Sequence, residues 1–275
     1  MLSCGKFHFD LARPLVMGIV NVTPDSFSDG GHHASTADAI AHARQLVSDG
    51  VDILDVGGES TRPGAATVST QEELDRVLPV IEGLRDISVP ISIDTWKPEV
   101  MRAALAAGAS MVNDINALQE EGALAAVVGS GAAVCVMHKQ GVPQTMQQQP
   151  HYTDVITEVS AFLRDRISAV EAAGIARDRI VIDPGFGFGK TLAHNLALLR
   201  ELDTVCALGV PVLAGLSRKS MLGTITGRDV NERLAASVAA ALLAVQRGAA
   251  IVRVHDVRET VDALKILNAV KRGEQ

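Results

Sequence analysis

Short apolar segments recur along the 275-residue chain, and each is followed by a more polar stretch with helical spacing. The segments are rich in β-branched residues and almost continuously apolar, a pattern typical of parallel strands that are covered on both faces of a sheet. They span residues 15–23, 52–58, 90–95, 110–115, 132–138, 179–185, 210–217 and 250–256. The pattern therefore predicts eight strand–helix units.

The helical stretches carry recognisable start signals. The stretch "STQEELDRVLPVIEGL" (69–84) places Glu72 three residues after Ser69, which is the spacing of a capping box. The stretch "STADAIAHARQLVSDG" (35–50) opens with Ser-Thr and closes on a glycine. Near the N-terminus, "GKFHFD" predicts a short β-hairpin ahead of the first long strand.

Polar or ionisable residues stand at the carboxyl ends of nearly all the predicted strands. An open doubly wound sheet, the rival fold, concentrates its functional groups beside one switch point. A closed barrel instead brings every strand end to one face. The residues concerned are Asn21, Asp55, Asp94, Asn113, His138, Asp183, Ser217, Lys219, Arg253 and His255. The sequence thus predicts an α/β fold, a single (β/α)8 TIM barrel over residues 1–275, with the hairpin closing its bottom.

Composition narrows the possible partners. The net charge of −7 and the lack of a dense basic run argue against a nucleic-acid partner. The longest apolar run, residues 234–245, is too short to span a bilayer, and the first ten residues lack the apolar core of a secretory signal. Three cysteines form no metal-ligand spacing. We expect a cytoplasmic protein with reduced thiols and no membrane partner.

The stretch "IDPGFGFGKT" (182–191) resembles a phosphate-binding P-loop only superficially. A P-loop needs a glycine where Pro184 stands, and the following glycines are spaced two apart, which also fails the dinucleotide pattern. We expect the glycines to let the backbone pass beneath a bound ligand, with Phe188 as an apolar wall. Lys190 is expected to open the next helix as a solvated side chain.

Asp94, Asn113 and Asp183 would converge at the mouth of such a barrel. Carboxylates accept paired N–H donors and an amide both donates and accepts, so this set suits the amino-pyrimidinone edge of a flat heterocycle. Lys219 could donate to a ring carbonyl or nitrogen. A single buried aspartate is more often a helix cap or an ion-pair partner, but three such polar groups at three strand ends weaken that alternative.

Positive charge gathers at the same face, on Arg62, Arg253 and His255. Arginine forks suit phosphate oxygens, and a guanidinium plane can also stack on a heterocycle. Asn21 could hold Mg²⁺, which takes oxygen ligands and often bridges to phosphates. Two alternatives stay open: His255 as a structural histidine hydrogen-bonded between strands, and Asn21 as a turn-forming residue before Thr-Pro.

Motifs at successive strand ends resemble those of the dihydropteroate synthase family, the folate-biosynthesis enzymes that sulfonamides target. In chain order they are "MGIVNVTPDSFSDGG", "DVGGESTRPG", "ISIDT", "VNDI", "MHKQG", "DPGFGFGK", "GLSRKS" and "RVHD". The resemblance covers essentially the whole chain. One departure is Lys139, where the family more often has an apolar residue.

The resemblance implies a transferase that condenses 6-hydroxymethyl-7,8-dihydropterin diphosphate with 4-aminobenzoate, with Mg²⁺, through a pterin carbocation. It also implies a homodimer. By motif, the pterin would contact Asp94, Asn113, Asp183 and Lys219, with Arg253 stacked on it. The diphosphate and Mg²⁺ would contact Asn21, Arg62, Arg253 and His255, and Thr61 would also contact the pterin diphosphate. The aminobenzoate pocket would comprise Thr61, Pro63, Phe188 and Ser220, the last opening a helix whose N–H groups suit a carboxylate. Catalytic roles would fall to Asp94, Lys219, Arg253 and His255.

Two other functions fit parts of the pattern. A methyltetrahydrofolate-dependent methyltransferase would share the pterin acids but needs neither a diphosphate cluster nor the "GGESTRPG" loop. A non-catalytic barrel could bind a pterin or a phosphorylated ligand. The intact set of Arg62, Lys219, Arg253 and His255 argues against that second alternative.

Overall fold

The computed structural model describes residues 1–22, 31–60, 67–142 and 145–273, with only the backbone at 31–35 and 272. Two strands at the N-terminus, β1 (Leu2–Cys4) and β2 (Phe7–Phe9), pair antiparallel. Leu2 and Cys4 are fully buried against the lower layer of the barrel interior. The predicted hairpin is confirmed.

Eight parallel strands follow, each paired with its neighbours in the order β8-β7-β6-β5-β4-β3-β10-β9. An isolated parallel bridge between Ile182 and Val212 joins the two ends, which closes the sheet into a barrel. The strands are β3 (Leu15–Asn21), β4 (Ile53–Gly57), β5 (Ile91–Asp94), β6 (Met111–Asp114), β7 (Ala133–Met137), β8 (Ile180–Asp183), β9 (Leu213–Ala214) and β10 (Ile251–Val254). The predicted TIM barrel is confirmed, and the doubly wound alternative is wrong.

Helices alternate with these strands and cover the outside of the sheet. They are α1 (Gly31–Ser48), α2 (Thr70–Gly83), α3 (Pro98–Ala107), α4 (Ala123–Val127), α5 (Val155–Ala172), α6 (Leu192–Arg200), α7 (Leu202–Cys206), α8 (Ser220–Thr226), α9 (Leu234–Gln246) and α10 (Val257–Arg272). Single 3-10 turns lie at Arg177–Arg179 and Val230–Glu232. None of the described helices is long and apolar enough to cross a membrane.

Alternate residues of the strands feed two apolar layers. On β3, Leu15 and Met17 face the barrel interior, whereas Val16 and Val20 pack against the surrounding helices. Because both faces are buried, the strands are continuously apolar instead of alternating. The buried polar side chains of the described barrel strands, apart from Ser92 inside β5, lie toward the carboxyl ends.

Helix α2 begins with the N-terminal cap that its sequence predicts, but without the complete capping box. The Ser69 side chain accepts a hydrogen bond from Glu72 N at 3.2 Å, as the spacing predicts. The Glu72 carboxylate does not complete the box but pairs with Arg76 one turn later. At α1 the helix begins at Gly31, four residues before the predicted start.

Candidate active site

Arg253 ties together the acidic strand ends at the mouth of the barrel. From β10 its Nε lies 2.6 Å from Asp55 Oδ2, and its Nη2 lies 2.6 Å from Asp94 Oδ2. Asp55 belongs to β4 and Asp94 to β5, neither of which pairs with β10. The guanidinium therefore crosses the barrel interior, as only an inward-facing side chain can.

Asn113 and Asp55 complete this inner layer. Asn113 Nδ2 donates to Asp55 Oδ2 at 3.0 Å, and its own exposed fraction is only 6%. Asp55 takes one of the two N–H groups of this amide, which fixes its orientation and leaves the oxygen and the second N–H for other partners. Asp55 is fully buried, and among the described residues its Oδ1 has no hydrogen-bond partner.

Asp183 and Lys219 face Arg253 across Gly215. A methyl group added to Gly215 would lie 3.8 Å from Lys219 Nζ, 3.9 Å from Asp183 Oδ2 and 4.0 Å from Arg253 Cβ. These distances show that the three groups surround the same point of the backbone. Together they form what we call the mouth cluster: Asp55, Asp94, Asn113, Asp183, Lys219 and Arg253.

Burial sets the charge states of the mouth cluster. Burial raises the pKa of Asp94 to about 7, against the opposing effect of Arg253 and with that of Asp55. Burial also lowers the pKa of Lys219 to about 8, although Asp183 acts to raise it. The pKa of Asp183 is likewise raised by burial, with Lys219 opposing. Such displaced values are typical of sites that bind or transform a ligand.

Asp55 is a member of the mouth cluster for which no specific role is predicted from sequence. It was visible only as one more polar residue at a strand end. Its importance lies in two contacts made across the barrel, to Arg253 and to Asn113. Both contacts join residues that are far apart in the sequence, so no local motif predicts them. The position of Asp55 near a strand end is the one sequence feature that indicates a place in the site.

His255 and Ser217 join the ends of β10 and the segment after β9. Ser217 Oγ accepts a hydrogen bond from His255 N at 3.2 Å and lies 3.0 Å from His255 Nδ1. This contact is the interstrand bond that the structural alternative for His255 predicts. The histidine nevertheless stands at the same end of the barrel as the mouth cluster, one residue beyond β10.

The turn that carries Lys219 is fixed by Arg218, which the sequence did not single out. Arg218 adopts a left-handed backbone, with φ of 57°. Its guanidinium binds both oxygens of Asp256, and its N–H donates to Ser237 Oγ at 2.9 Å. A non-glycine residue holds this conformation only when its surroundings impose it. These contacts determine where Lys219 points.

Two predicted pocket residues lie beside Lys219. The Phe188 ring is half-buried, and its centroid is 4.8 Å from Lys219 Nζ. Ser220 is the exposed first residue of α8, a helix of only seven residues. Asn21, half-buried, is the last residue of β3. Thr61, Arg62 and Pro63 lie outside the described residues.

The loop after β8 corrects two expectations. The glycines were expected to make room for a ligand, but a Cβ on Gly185 would come 1.9 Å from His138 O, and one on Gly189 would come 2.3 Å from Gln140 O. Both are required by contact with the segment after β7. Gly187 alone faces the mouth cluster, 3.3 Å from Lys219 Cδ by the same measure.

Lys190 is the second correction. It was expected in solvent at the start of a helix, but it is only 3% exposed, and α6 begins two residues later, capped by Thr191. Its Nζ lies 3.0 Å from His138 Nδ1. His138 therefore does not join the mouth cluster, and it packs edge-on against Phe162 of α5 instead.

Comparison with known proteins places the chain in a family. A family model described as "Pterin binding enzyme" matches residues 17–255. The dihydropteroate synthase of Escherichia coli (strain K12) is 52% identical over 267 residues, covering 97% of this chain and 95% of that protein.

Two solved structures are similar along their whole length. A dihydropteroate synthase of Xanthomonas albilineans with 4-aminobenzoic acid has a TM-score of 0.93 and 56% identity, covering 98% of this chain and 97% of that one. A dihydropteroate synthase of Burkholderia cenocepacia complexed with 7,8-dihydropteroate has a TM-score of 0.91 and 52% identity, with coverage of 99% and 96%. The chain therefore belongs to the dihydropteroate synthase family of pterin-binding enzymes.

Proposed function

We propose that this protein condenses 6-hydroxymethyl-7,8-dihydropterin diphosphate with 4-aminobenzoate to give 7,8-dihydropteroate and pyrophosphate, and so acts as a transferase of a pterin-methyl group. The observation that carries the proposal is the mouth cluster, in which buried acids, an amide and two cations meet at one end of the barrel. Relatives solved with 4-aminobenzoic acid and with 7,8-dihydropteroate support both the second substrate and the product.

The pterin edge would be recognised by acceptors and a donor in complementary positions. Asp183 Oδ1 already accepts from Gly185 N at 2.6 Å, so Oδ2 is the oxygen for ring and exocyclic N–H groups. The Asn113 amide, oriented by its hydrogen bond to Asp55, would offer its oxygen and its second N–H to the pterin. Lys219 would donate to the ring carbonyl or nitrogen. Buried polar groups of this kind penalise any ligand that leaves them unpaired.

The reaction breaks a C–O bond and forms a C–N bond at the exocyclic methylene. The electron pair of the breaking bond leaves with pyrophosphate, and the resulting cation is conjugated with the pterin. Asp94 lies 2.6 Å from the Arg253 guanidinium, which favours its carboxylate form, and as a carboxylate near a ring N–H it would stabilise that cation electrostatically. The neutral arylamine then attacks and loses its proton, which requires no strong base at neutral pH.

The leaving diphosphate would contact Asn21, Arg62, Arg253 and His255, with Arg253 also stacked on the pterin. Burial acts to lower the pKa of Arg253, but the negative charges of Asp55 and Asp94 outweigh this effect and raise the pKa above its ordinary value. The guanidinium therefore stays charged. When bound, Mg²⁺ would neutralise charge on the diphosphate. The described residues contain no group of three or more acidic, histidine or cysteine side chains placed for a metal. Asn21 would thus contribute one oxygen to an ion held mainly by the substrate.

Aminobenzoate would lie between Phe188 and the segment that carries Thr61 and Pro63, with its carboxylate near Ser220. A cytoplasmic homodimer with one domain per chain is part of this proposal, as the family resemblance implies. Exposed apolar side chains on α9 and α10, including Leu243, Ile266 and Val270, provide surface for a second copy. Sedimentation of the purified protein measures the oligomeric state, and a monomer would remove the homodimer.

Product analysis tests the proposal. Purified protein is incubated with both substrates over a range of Mg²⁺ concentrations, and dihydropteroate is identified by mass. We expect product only when the pterin diphosphate and aminobenzoate are both present, and more of it with Mg²⁺. Transfer of a methyl group from methyltetrahydrofolate would favour the methyltransferase alternative, and pterin binding without any product would favour a binding protein.

A further inference from the structure

Lys190 is a buried cation whose hydrogen bonds all go to neutral groups. Its Nζ lies 2.9 Å from Gly185 O, 3.1 Å from Phe188 O and 3.0 Å from His138 Nδ1, with His138 O at the longer distance of 3.4 Å. An ammonium has three protons, so the three nearer acceptors are enough to satisfy it. Within the ranges that the structure describes, no carboxylate forms an ion pair with it.

Keeping this charge inside the protein is unfavourable. Burial lowers the pKa of Lys190 to about 7, and Asp183, beyond ion-pair distance, only partly opposes this. An apolar side chain of similar length would fill the same space without the cost of desolvating a charge. What this buried charge provides instead is a set of hydrogen bonds to the loop between β8 and α6.

The loop between β8 and α6 is held from two sides. From beneath, Lys190 binds the carbonyls of Gly185 and Phe188. From the mouth, Lys219 Nζ donates to the carbonyl between them, that of Phe186, and lies 4.8 Å from the centroid of the Phe188 ring. The carbonyls of Gly185 and Phe188 therefore accept hydrogen bonds from Lys190, and the carbonyl of Phe186 accepts one from Lys219.

We propose that Lys190 is a positioning residue: it aims the Phe186 carbonyl and the Phe188 ring at Lys219, and thereby shapes the wall of the aminobenzoate site. The inference rests on the proposed function for the identity of that ligand. It concerns a residue that touches neither substrate, because Lys190 is covered by the loop that it binds.

His138 supports this arrangement as an acceptor. To receive a proton from Lys190, its Nδ1 must be unprotonated, which leaves the proton of the neutral ring on Nε2. Burial and then Lys190 lower the pKa of His138 to about 3, so the ring stays neutral. The close approach of Gly185 to His138 O, which excludes any side chain, keeps the loop and the histidine together.

The variant Lys190→Met tests the proposal, because it keeps the length of the side chain and removes all three hydrogen bonds. We expect the KM for 4-aminobenzoate to rise by about tenfold, the factor that corresponds to one hydrogen bond of typical strength. The KM for the pterin diphosphate should change by less than about threefold, because Asp183 still attracts Lys219.

Leu198→Ala is the matched control. Leu198 is fully buried on the same helix that follows the loop, so the variant loses stability without touching the loop carbonyls. It should leave both KM values near those of the wild type. An unchanged KM for aminobenzoate in Lys190→Met, or equal rises for both substrates, would overturn the positioning role.

A spectroscopic readout covers the case in which Lys190→Met fails to fold. NMR of the wild-type protein with isotope-labelled histidine should show His138 as the Nε2–H tautomer around neutral pH. A protonated Nδ1 would contradict the Lys190 contact on which the proposal depends. If the wild-type protein makes no dihydropteroate, only the proposed function fails, and the spectrum still decides the contact.

Discussion

At the level of single residues, the charge of Arg253 balances the buried carboxylates of the mouth cluster. It binds two carboxylates, Asp55 and Asp94, at 2.6 Å each, while Asp183 and Lys219 stand opposite each other nearby. A ligand with N–H donors can form hydrogen bonds with these carboxylates in place of part of this internal pairing. Because Arg253 already holds the carboxylates in position, the cluster is preorganised to bind a polar heterocycle.

Asp94→Asn should separate the chemical step from binding. The amide keeps the shape of the side chain but removes the negative charge that stabilises the proposed cation. We expect the single-turnover rate to fall roughly 100-fold, with a much smaller change in pterin affinity. A rate equal to that of the wild type, with the pterin still bound, would remove Asp94 from the mechanism.

The pH dependence should report Lys219. Because burial lowers its pKa to about 8, the ammonium is present below that pH and is lost as the pH rises through it. Activity measured as kcat/KM should accordingly fall above about pH 8. In Lys219→Arg the guanidinium does not titrate in this range. The basic limb of the profile should disappear in that variant even if its rate is lower, and a basic limb that persists unchanged would point to another group.

At the scale of elements, the loop between β8 and α6 is built by its contact with the segment after β7. Gly185 combines a φ of 69° with an approach to His138 O that leaves no room for a Cβ. Gly227, at the end of α8, has a φ of 68° but nothing within 4 Å of the position of a Cβ. The two glycines thus differ in packing and not in backbone conformation.

Substitution by alanine should reveal this difference. Gly227→Ala pays only for the left-handed backbone, about 1 kcal/mol. Gly185→Ala must also push two segments apart, so we expect a further loss in the free energy of unfolding of about 2 kcal/mol or more. Urea unfolding of both variants measures the difference. Equal losses would mean that the loop can move away from His138.

Local sequence patterns predicted most elements but not how their loops pack. The strands follow from apolar runs, because both faces of the barrel wall are buried. β9 is shorter than its predicted range 210–217, since the chain leaves the sheet after Ala214 and turns at Ser217 and Arg218 to reach Lys219. The burial of Lys190 depends on His138, which is 52 positions away. No spacing within the motif records such a contact.

At the scale of the whole molecule, the barrel divides stability from chemistry between its two ends. At the bottom, Asp52 accepts hydrogen bonds from Arg13 at 2.5 and 3.0 Å and from Val16 N at 2.9 Å. At the top stands the mouth cluster. This division is common in TIM barrels, whose functional loops follow the carboxyl ends of the strands.

Asp52→Asn tests the division. The variant loses the ion pair at the bottom, where Arg13 is half exposed, so a modest loss of about 1–2 kcal/mol in the free energy of unfolding is expected. Its kcat/KM should equal that of the wild type. A large fall in activity at a temperature where the variant is folded would show that the two ends are coupled.

The sequence predicts the barrel and the ring of polar groups at the strand ends, but it does not predict which groups form hydrogen bonds or ion pairs with each other. Asp94, Asn113 and Asp183 do meet at the mouth, because parallel strands in a closed barrel leave no other place for their ends. Asp55 and Arg218 gained their importance only from contacts between distant segments. The roles predicted for Thr61, Arg62 and Pro63 stay predictions.

If the mouth cluster binds the pterin edge, the variant Asp183→Asn should lose affinity for the pterin diphosphate. The amide oxygen can still accept from Gly185 N, so the loop is kept, while the NH₂ group replaces the acceptor that faces the ligand. Calorimetric titration should show affinity reduced about 100-fold, equivalent to about 2.7 kcal/mol. Asp52→Asn, titrated in parallel, should bind as the wild type does. Wild-type affinity in Asp183→Asn would contradict the account.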